Sequence, residues 1–184
     1  IQQHCIIPVG DHSKQVCRIL IRVVIQEVYK TTVDLGVIRR PTIFDVDYLC
    51  ENAREADKKE AYLLSGRSLR ESFEDTPGLY ENSFVWEMNG KLVCMYGVTP
   101  WKDDENVIWF LATDEFDKYK NIVRRHSKRV FEELIKGKKN LFNYVHAEHP
   151  TALKWLEWLG CDIHIAEPIG LGGAMFCKFE VNHV

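Results

Sequence analysis

The stretch "NVIWFLATDEFDKYKNIVRRH", residues 106–126, runs from an almost uninterrupted apolar segment straight into a charged one. The apolar half has the composition of a central strand, whose side chains are covered on both faces of a sheet. The charged half opens a long helix over about 115–136, and Gly137 supplies its stop. A central strand that feeds a long helix places this chain in the mixed α/β class.

On the C-terminal side, "LFNYVHA" (141–147) reads as a further strand. Pro150 suits the first turn of the next helix and Gly160 its left-handed C-terminal cap. "CDIHIA" and "AMFCKFEV" read as two closing strands, with "GLGG" (170–173) as the connection between them. On the N-terminal side, "SFVWEMNGKLVCMYGVTP" (83–100) holds two β-rich runs around Asn89-Gly90, the pair that most readily takes positive φ in a tight hairpin turn.

Before the hairpin, "SLRESFED" reads as a helix ended by Pro77-Gly78. "VIRRPTIFD" reads as a short strand entering a helix, with Thr42 as N-cap and Asp45 three residues on, an acidic form of the capping box. Val46, Leu49, Ala53 and Ala56 continue at helical spacing. Residues 1–36 form an added arm or first element, and 37–184 the main domain. Within that arm, "RILIRVVIQEVYKTTV" is β-branched enough for a strand and long enough for a buried helix, and both readings stand.

The expected fold is therefore a mixed, mostly antiparallel sheet of about six or seven strands with helices on both faces. At 184 residues, one core is the default. A hydrophobic content of 46% with 28% charged residues describes an ordinary soluble globular chain. The formal charge of −3 gives no general reason to expect nucleic acid as a partner. The most apolar stretch, 16–28, is broken by Arg18 and Arg22 and is too short for a membrane span. The six cysteines form no CxxC pair and read as buried free thiols.

The element order, together with "RPTIFDVDYL", "NGKLVCMYGVTP", "VIWFLATD", "NLFNYVHAEHPTALKWLEWLG" and "MFCKF", resembles the GNAT fold of acyl-CoA-dependent N-acyltransferases over about residues 37–181. Within that fold it is similar to a small set of tailed-phage proteins, among them internal virion and morphogenesis proteins of short-tailed phages and phage proteins described as acetyltransferases. The resemblance implies a phage protein located in the host cytoplasm during infection or in the virion. Its partner would be a phage structural protein, or a host protein such as a defence factor that it neutralises.

For an active member, the resemblance implies acetyl-CoA as cofactor. Its pantetheine arm would pair with the main chain of Leu111, Ala112 and Thr113, and its phosphates would lie near Lys118, Lys120 and Asn121. Backbone N–H groups at a helix start bind a pyrophosphate well, and glycines let the backbone approach it. The family's usual [QR]-x-x-G-x-[GA] loop is replaced here by "TDEFDKYKNIVRRH" (113–126), which has no glycine and carries Asp114, Glu115 and Asp117. Alignment on Ala152, Leu159 and Gly160 puts His149 where active members often have asparagine, and Leu156 where they have the proton-donating tyrosine. Leucine donates no proton.

The remaining general-base candidates are Glu87 in the hairpin and Asp114 at the strand end. These losses favour a virion-assembly or internal virion role through protein binding, without efficient catalysis and with no cofactor. The alternative is an acetyl-CoA-dependent N-acetyltransferase acting on a host or phage amine. Candidate partner surfaces are the arm, the Trp155/Trp158 edge, and the basic helix with Arg124, Arg125 and Lys128. Tryptophan suits interface cores. A solvated face is the plainer reading of the basic run, and phosphate binding the sharper one.

His146, Glu148, His149 and His164 lack helical HExxH spacing, and no metal site is expected from them. No P-loop, nucleophile elbow or Rossmann glycine pattern is present. Cys161, with no cationic activator in sequence, reads as an inert packed thiol.

Overall fold

The computed structural model describes residues 36–181. The expectations for the arm fall outside these residues, apart from its last position, Gly36. β1 (Val37–Arg39) leads into α1 (Ile43–Asn52), α2 (Glu55–Ser65), α3 (Leu69–Glu74) and the single turn α4 (Leu79–Asn82). The hairpin β2 (Ser83–Met88) and β3 (Lys91–Pro100) follows, then β4 (Asn106–Ala112) and α5 (Phe116–Ile135). β5 (Leu141–His146), α6 (Pro150–Leu159), β6 (Cys161–Ile163) and β7 (Phe176–Val181) complete the described chain.

The seven strands make one sheet in the order β1-β2-β3-β4-β5-β7-β6. All neighbours are antiparallel except β4 and β5, which run parallel. α1, α3 and α4 pack on one face around Leu49, Phe73, Val85 and Met95. α5 and α6 pack on the other, against Phe110, Val123, Val145, Leu156 and Phe179. The mixed, mostly antiparallel seven-stranded sheet with helices on both faces is the fold expected from the sequence.

Local chemistry accounts for most of the boundaries. Thr42 and Asp45 form a reciprocal capping box, and Ser68 with Glu71 forms a second one. Asn89 (φ 50°) and Gly90 (φ 73°) both take positive φ, so the β2–β3 connection is the tight hairpin turn that the pair favours. Gly160 adopts the left-handed cap that ends α6.

One expectation fails. Val46, Leu49, Ala53 and Ala56 do not lie on a single helix. The chain breaks at Ala53 and Arg54, and α2 restarts at Glu55 without a side-chain cap. The cause is tertiary. Ala53 forms an antiparallel bridge with Thr113 at the end of β4, so its backbone leaves the helix to pair with the sheet.

Candidate functional site

β4 and β5 pair only at Asn106–Leu141 and Val107–Phe142. Beyond these residues no further pair joins them, and the backbone groups along the facing edges must be satisfied in some other way. Thr113 N–H bonds to Val93 O on β3, so the N–H and C=O of Ala112, one residue earlier, point away from β3 and into the split. On β5, Ala147 N–H bonds to Met175 O, and by the same alternation the main chain of His146 faces β4.

The split is filled by the protein itself. Asn143 Nδ2 donates to Ile108 O at 2.8 Å, and its Oδ1 accepts from Tyr144 N–H at 2.8 Å. Higher up, the α1–α2 junction closes on β4. Arg54 N–H donates to Ala112 O at 2.9 Å, and Asp57 Oδ2 accepts from Ala112 N–H at 2.8 Å. The Arg54 guanidinium pairs with Asp57 at 2.8 Å and lies 5.0 Å over the Phe116 ring at the start of α5. Glu60, one helical turn after Asp57, lies against the His146 main chain on β5. Burial raises the Glu60 carboxyl to about 7, with the nearby His146 main chain opposing the rise and the Asp57 charge adding to it.

The helix start next to the split is acidic. Glu115 is held by Lys118 at 2.9 Å and Lys91 at 3.1 Å, and these contacts keep its carboxyl below the ordinary range. Asp117 lies 3.8 Å from Lys120, and Asp114 is exposed. These charges stabilise the helix and repel a second anion. Lys118 and Lys120 thus spend their charge on neighbouring carboxylates, while Asn121 is exposed one turn further on.

The other residues singled out in the sequence are dispersed. Glu87 sits on β2, two strands away from β4, with its carboxylate bonded to Arg39 at 3.0 Å. His149 caps α6, its Nδ1 accepting from Ala152 N–H at 3.2 Å. His146 Nδ1 accepts from Glu148 N–H at 3.3 Å, and His164 pairs with Glu180 at 3.0 Å. Among the described residues, no three His, Cys, Asp or Glu side chains gather as metal ligands.

Trp155 and Trp158 do not form one seam. Trp155 packs edge-on to Phe110 at 5.1 Å and donates Nε1–H to Ser127 Oγ at 3.3 Å, whereas Trp158 is exposed. Leu156, at the tyrosine position, is buried. Arg124, Arg125 and Lys128 lie exposed on the outer face of α5. Cys94 and Cys161 are buried free thiols whose pKa burial raises, that of Cys161 to about 11. Neither is a ready nucleophile. The sequence reading missed Arg54, Asp57 and Glu60, because "EADKKEA" resembles any solvated helix face. The signal lay in the break between two helices, not in the charges.

Among the described residues, no helix is long and apolar enough to cross a membrane. No family model and no curated protein matches the chain. Solved structures do. The ribosomal-protein-alanine N-acetyltransferase of Brucella melitensis superimposes with a TM-score of 0.58 at 14% identity, covering 80% of this chain and 99% of that one. An acetyltransferase of Salmonella typhimurium, solved with its cofactor acetyl-CoA, gives 0.58 at 15% identity, covering 78% and 91%. An acetyltransferase of Bacillus subtilis in complex with CoA gives 0.53 at 11% identity, covering 83% and 100%. At these identities the likeness establishes a shared architecture: the chain has the fold of GNAT-family acetyltransferases.

Proposed function

We propose that this chain uses the GNAT architecture as a rigid scaffold for protein binding, with its acyl-donor position filled by its own α1–α2 junction. One observation carries the reading. Both main-chain groups of Ala112 that face the split are bonded, to Arg54 N–H and to the Asp57 carboxylate. Those are groups to which a pantetheine arm would have to bond. The residues present do not fit the cofactor as they stand. Its arm finds the strand edge paired, and its diphosphate would meet Glu115 and Asp117 with no glycine nearby. Function resides in sites and not in folds, so this change of use needs no change of architecture. The partner in this reading is a phage structural protein met in virion assembly. That identification rests on the sequence resemblance, and nothing in the comparisons ties the chain to a phage.

The second reading, an acetyl-CoA-dependent N-acetyltransferase, has its own support. The comparisons favour it, since the similar structures are acetyltransferases. Glu60, with its pKa raised to about 7, supplies a carboxyl suited to accept a proton near neutral pH. This reading requires the junction to leave Ala112. Calorimetric titration with acetyl-CoA separates the two. Micromolar affinity overturns the scaffold reading, and silence at millimolar ligand removes the enzyme.

A further inference from the structure

Between Asp117 and Glu132, α5 contains no carboxylate, yet it carries Lys118, Lys120, Arg124, Arg125, Lys128 and Arg129. The first two are matched to Glu115 and Asp117. Among the described residues, Arg124, Arg125, Lys128 and Arg129 meet no carboxylate, and all four are exposed. The helix beneath them is anchored by Val123 and Ser127, both buried, and by the Trp155 hydrogen bond to Ser127. The cations therefore stand on a fixed face.

That arrangement costs the helix stability. Lys120–Arg124, Arg124–Lys128 and Arg125–Arg129 are like-charged at i,i+4, and Arg125–Lys128 at i,i+3. Each such pair opposes the helix by about 0.2–0.5 kcal/mol. A carboxylate at any of these positions would reverse the sign. The field is felt locally as well: after burial, Arg125 and Arg129 depress the His126 pKa. Glu132 and Glu133 stand at i+3 and i+4 from Lys128 and Arg129 and offset part of this repulsion. Arg124 and Arg125 have no carboxylate at helical spacing, and a local rule left broken there points to a contact outside the fold.

We infer that the outer face of α5 binds the phosphate backbone of nucleic acid through Arg124, Arg125, Lys128 and Arg129. The net charge of −3 does not oppose this, because a phosphate at the surface senses charges within a Debye length of about 8–10 Å. Along the helix, cations at i and i+4 are about 6 Å apart. A duplex offers a charge roughly every 1.7 Å of its axis, so each cation finds a phosphate. Guanidinium groups, three of the four here, engage phosphate oxygens in pairs. An acidic protein is the less fitting partner. α5 itself carries no exposed large hydrophobic side chain among these four cations, and protein interfaces draw their energy from a desolvated apolar centre. Phosphate binding needs no such centre and carries no sequence information.

The test is fluorescence anisotropy of the full chain with a short labelled DNA duplex of random sequence across a salt series. Four phosphate contacts predict a log–log slope of about −3.6, so a fourfold rise in salt weakens binding about 150-fold. The R124Q/R125Q/K128Q/R129Q variant should abolish binding, and R125Q alone should reduce the slope by about 0.9. The charge-preserving R124K/R125K/R129K variant should keep the slope, which guards against loss through misfolding. The inference is overturned by absence of binding at low salt or by full binding in the quadruple glutamine variant. It is equally overturned if polyglutamate binds more tightly than the duplex, since the partner is then an acidic protein.

Discussion

Asp57 and Glu60 lie one helical turn apart at the two sides of the sheet's split, Asp57 bonding the Ala112 N–H of β4 and Glu60 lying against the His146 main chain of β5. Residues three apart share a helix face, so a single helix presents both carboxylates to the gap. α2 thereby fastens two strands that stop pairing with each other after Val107 and Phe142.

Glu60 makes this arrangement respond to pH. The folded chain keeps the Glu60 proton up to about 7, while the unfolded chain releases it near 4.5. Between those values the folded state holds more protons, so raising the pH lowers stability, by at most about 3 kcal/mol across the window. Glu60→Gln stays neutral and keeps the size and shape of the side chain. Urea denaturation should show the variant as stable as wild type at pH 5 and more stable at pH 8. Equal stability at pH 8 would place the Glu60 carboxylate in water.

Asp57→Ala removes the acceptor of the Ala112 N–H and the partner of Arg54. A buried donor left unpaired predicts a loss of about 1–3 kcal/mol. The same substitution frees the Ala112 N–H, one of the two strand-edge groups that the scaffold reading regards as closed, while Ala112 O keeps its bond to Arg54 N–H. Acetyl-CoA binding that is absent in wild type and appears in this variant would show that the junction alone excludes the cofactor. Absence in both would assign the exclusion to the remaining Arg54 bond to Ala112 O or to the acidic start of α5.

Asp45 tests the opposite sign. Arg39 and the Thr42 cap hold its carboxyl down to about 2, against an ordinary value of 3.8. Its contribution is complete above about 4 and disappears as the pH falls toward 2, worth about 2 kcal/mol. Asp45→Asn should cost about that much at pH 7 and nothing near pH 2, measured by chemical denaturation at both values.

The sequence disclosed those parts of the molecule that local chemistry decides. Thr42 with Asp45, Asn89-Gly90, Pro150 and Gly160 each announce a boundary, because a cap or a positive φ requires a particular residue type at a particular place. The split was invisible for the converse reason. Ala53 continues a helical pattern and leaves the helix only because Thr113 offers it a strand edge from 60 residues away. Glu60 looks like a surface charge in "DKKEAY" and becomes a half-buried acid with a raised pKa only in the folded chain. Likewise, spacing placed Trp155 and Trp158 on one face, whereas packing turned one onto Phe110 and left the other in solvent.

That division of the two tryptophans separates stability from binding. Trp155 fills the space between α6, Phe110 and Ser127, so Trp155→Ala should cost about 3 kcal/mol and lower the melting temperature. Trp158 is 47% exposed and has no side-chain hydrogen bond, so Trp158→Ala should leave the melting temperature nearly unchanged. On a scaffold, an exposed tryptophan beside a rigid helix is the residue type that most often anchors a partner. Pull-down with wild type and Trp158→Ala, both folded, should therefore recover a protein partner with the first and lose it with the second. Equal recovery would remove this edge of α6 from the binding surface and leave the apolar contact to be found elsewhere.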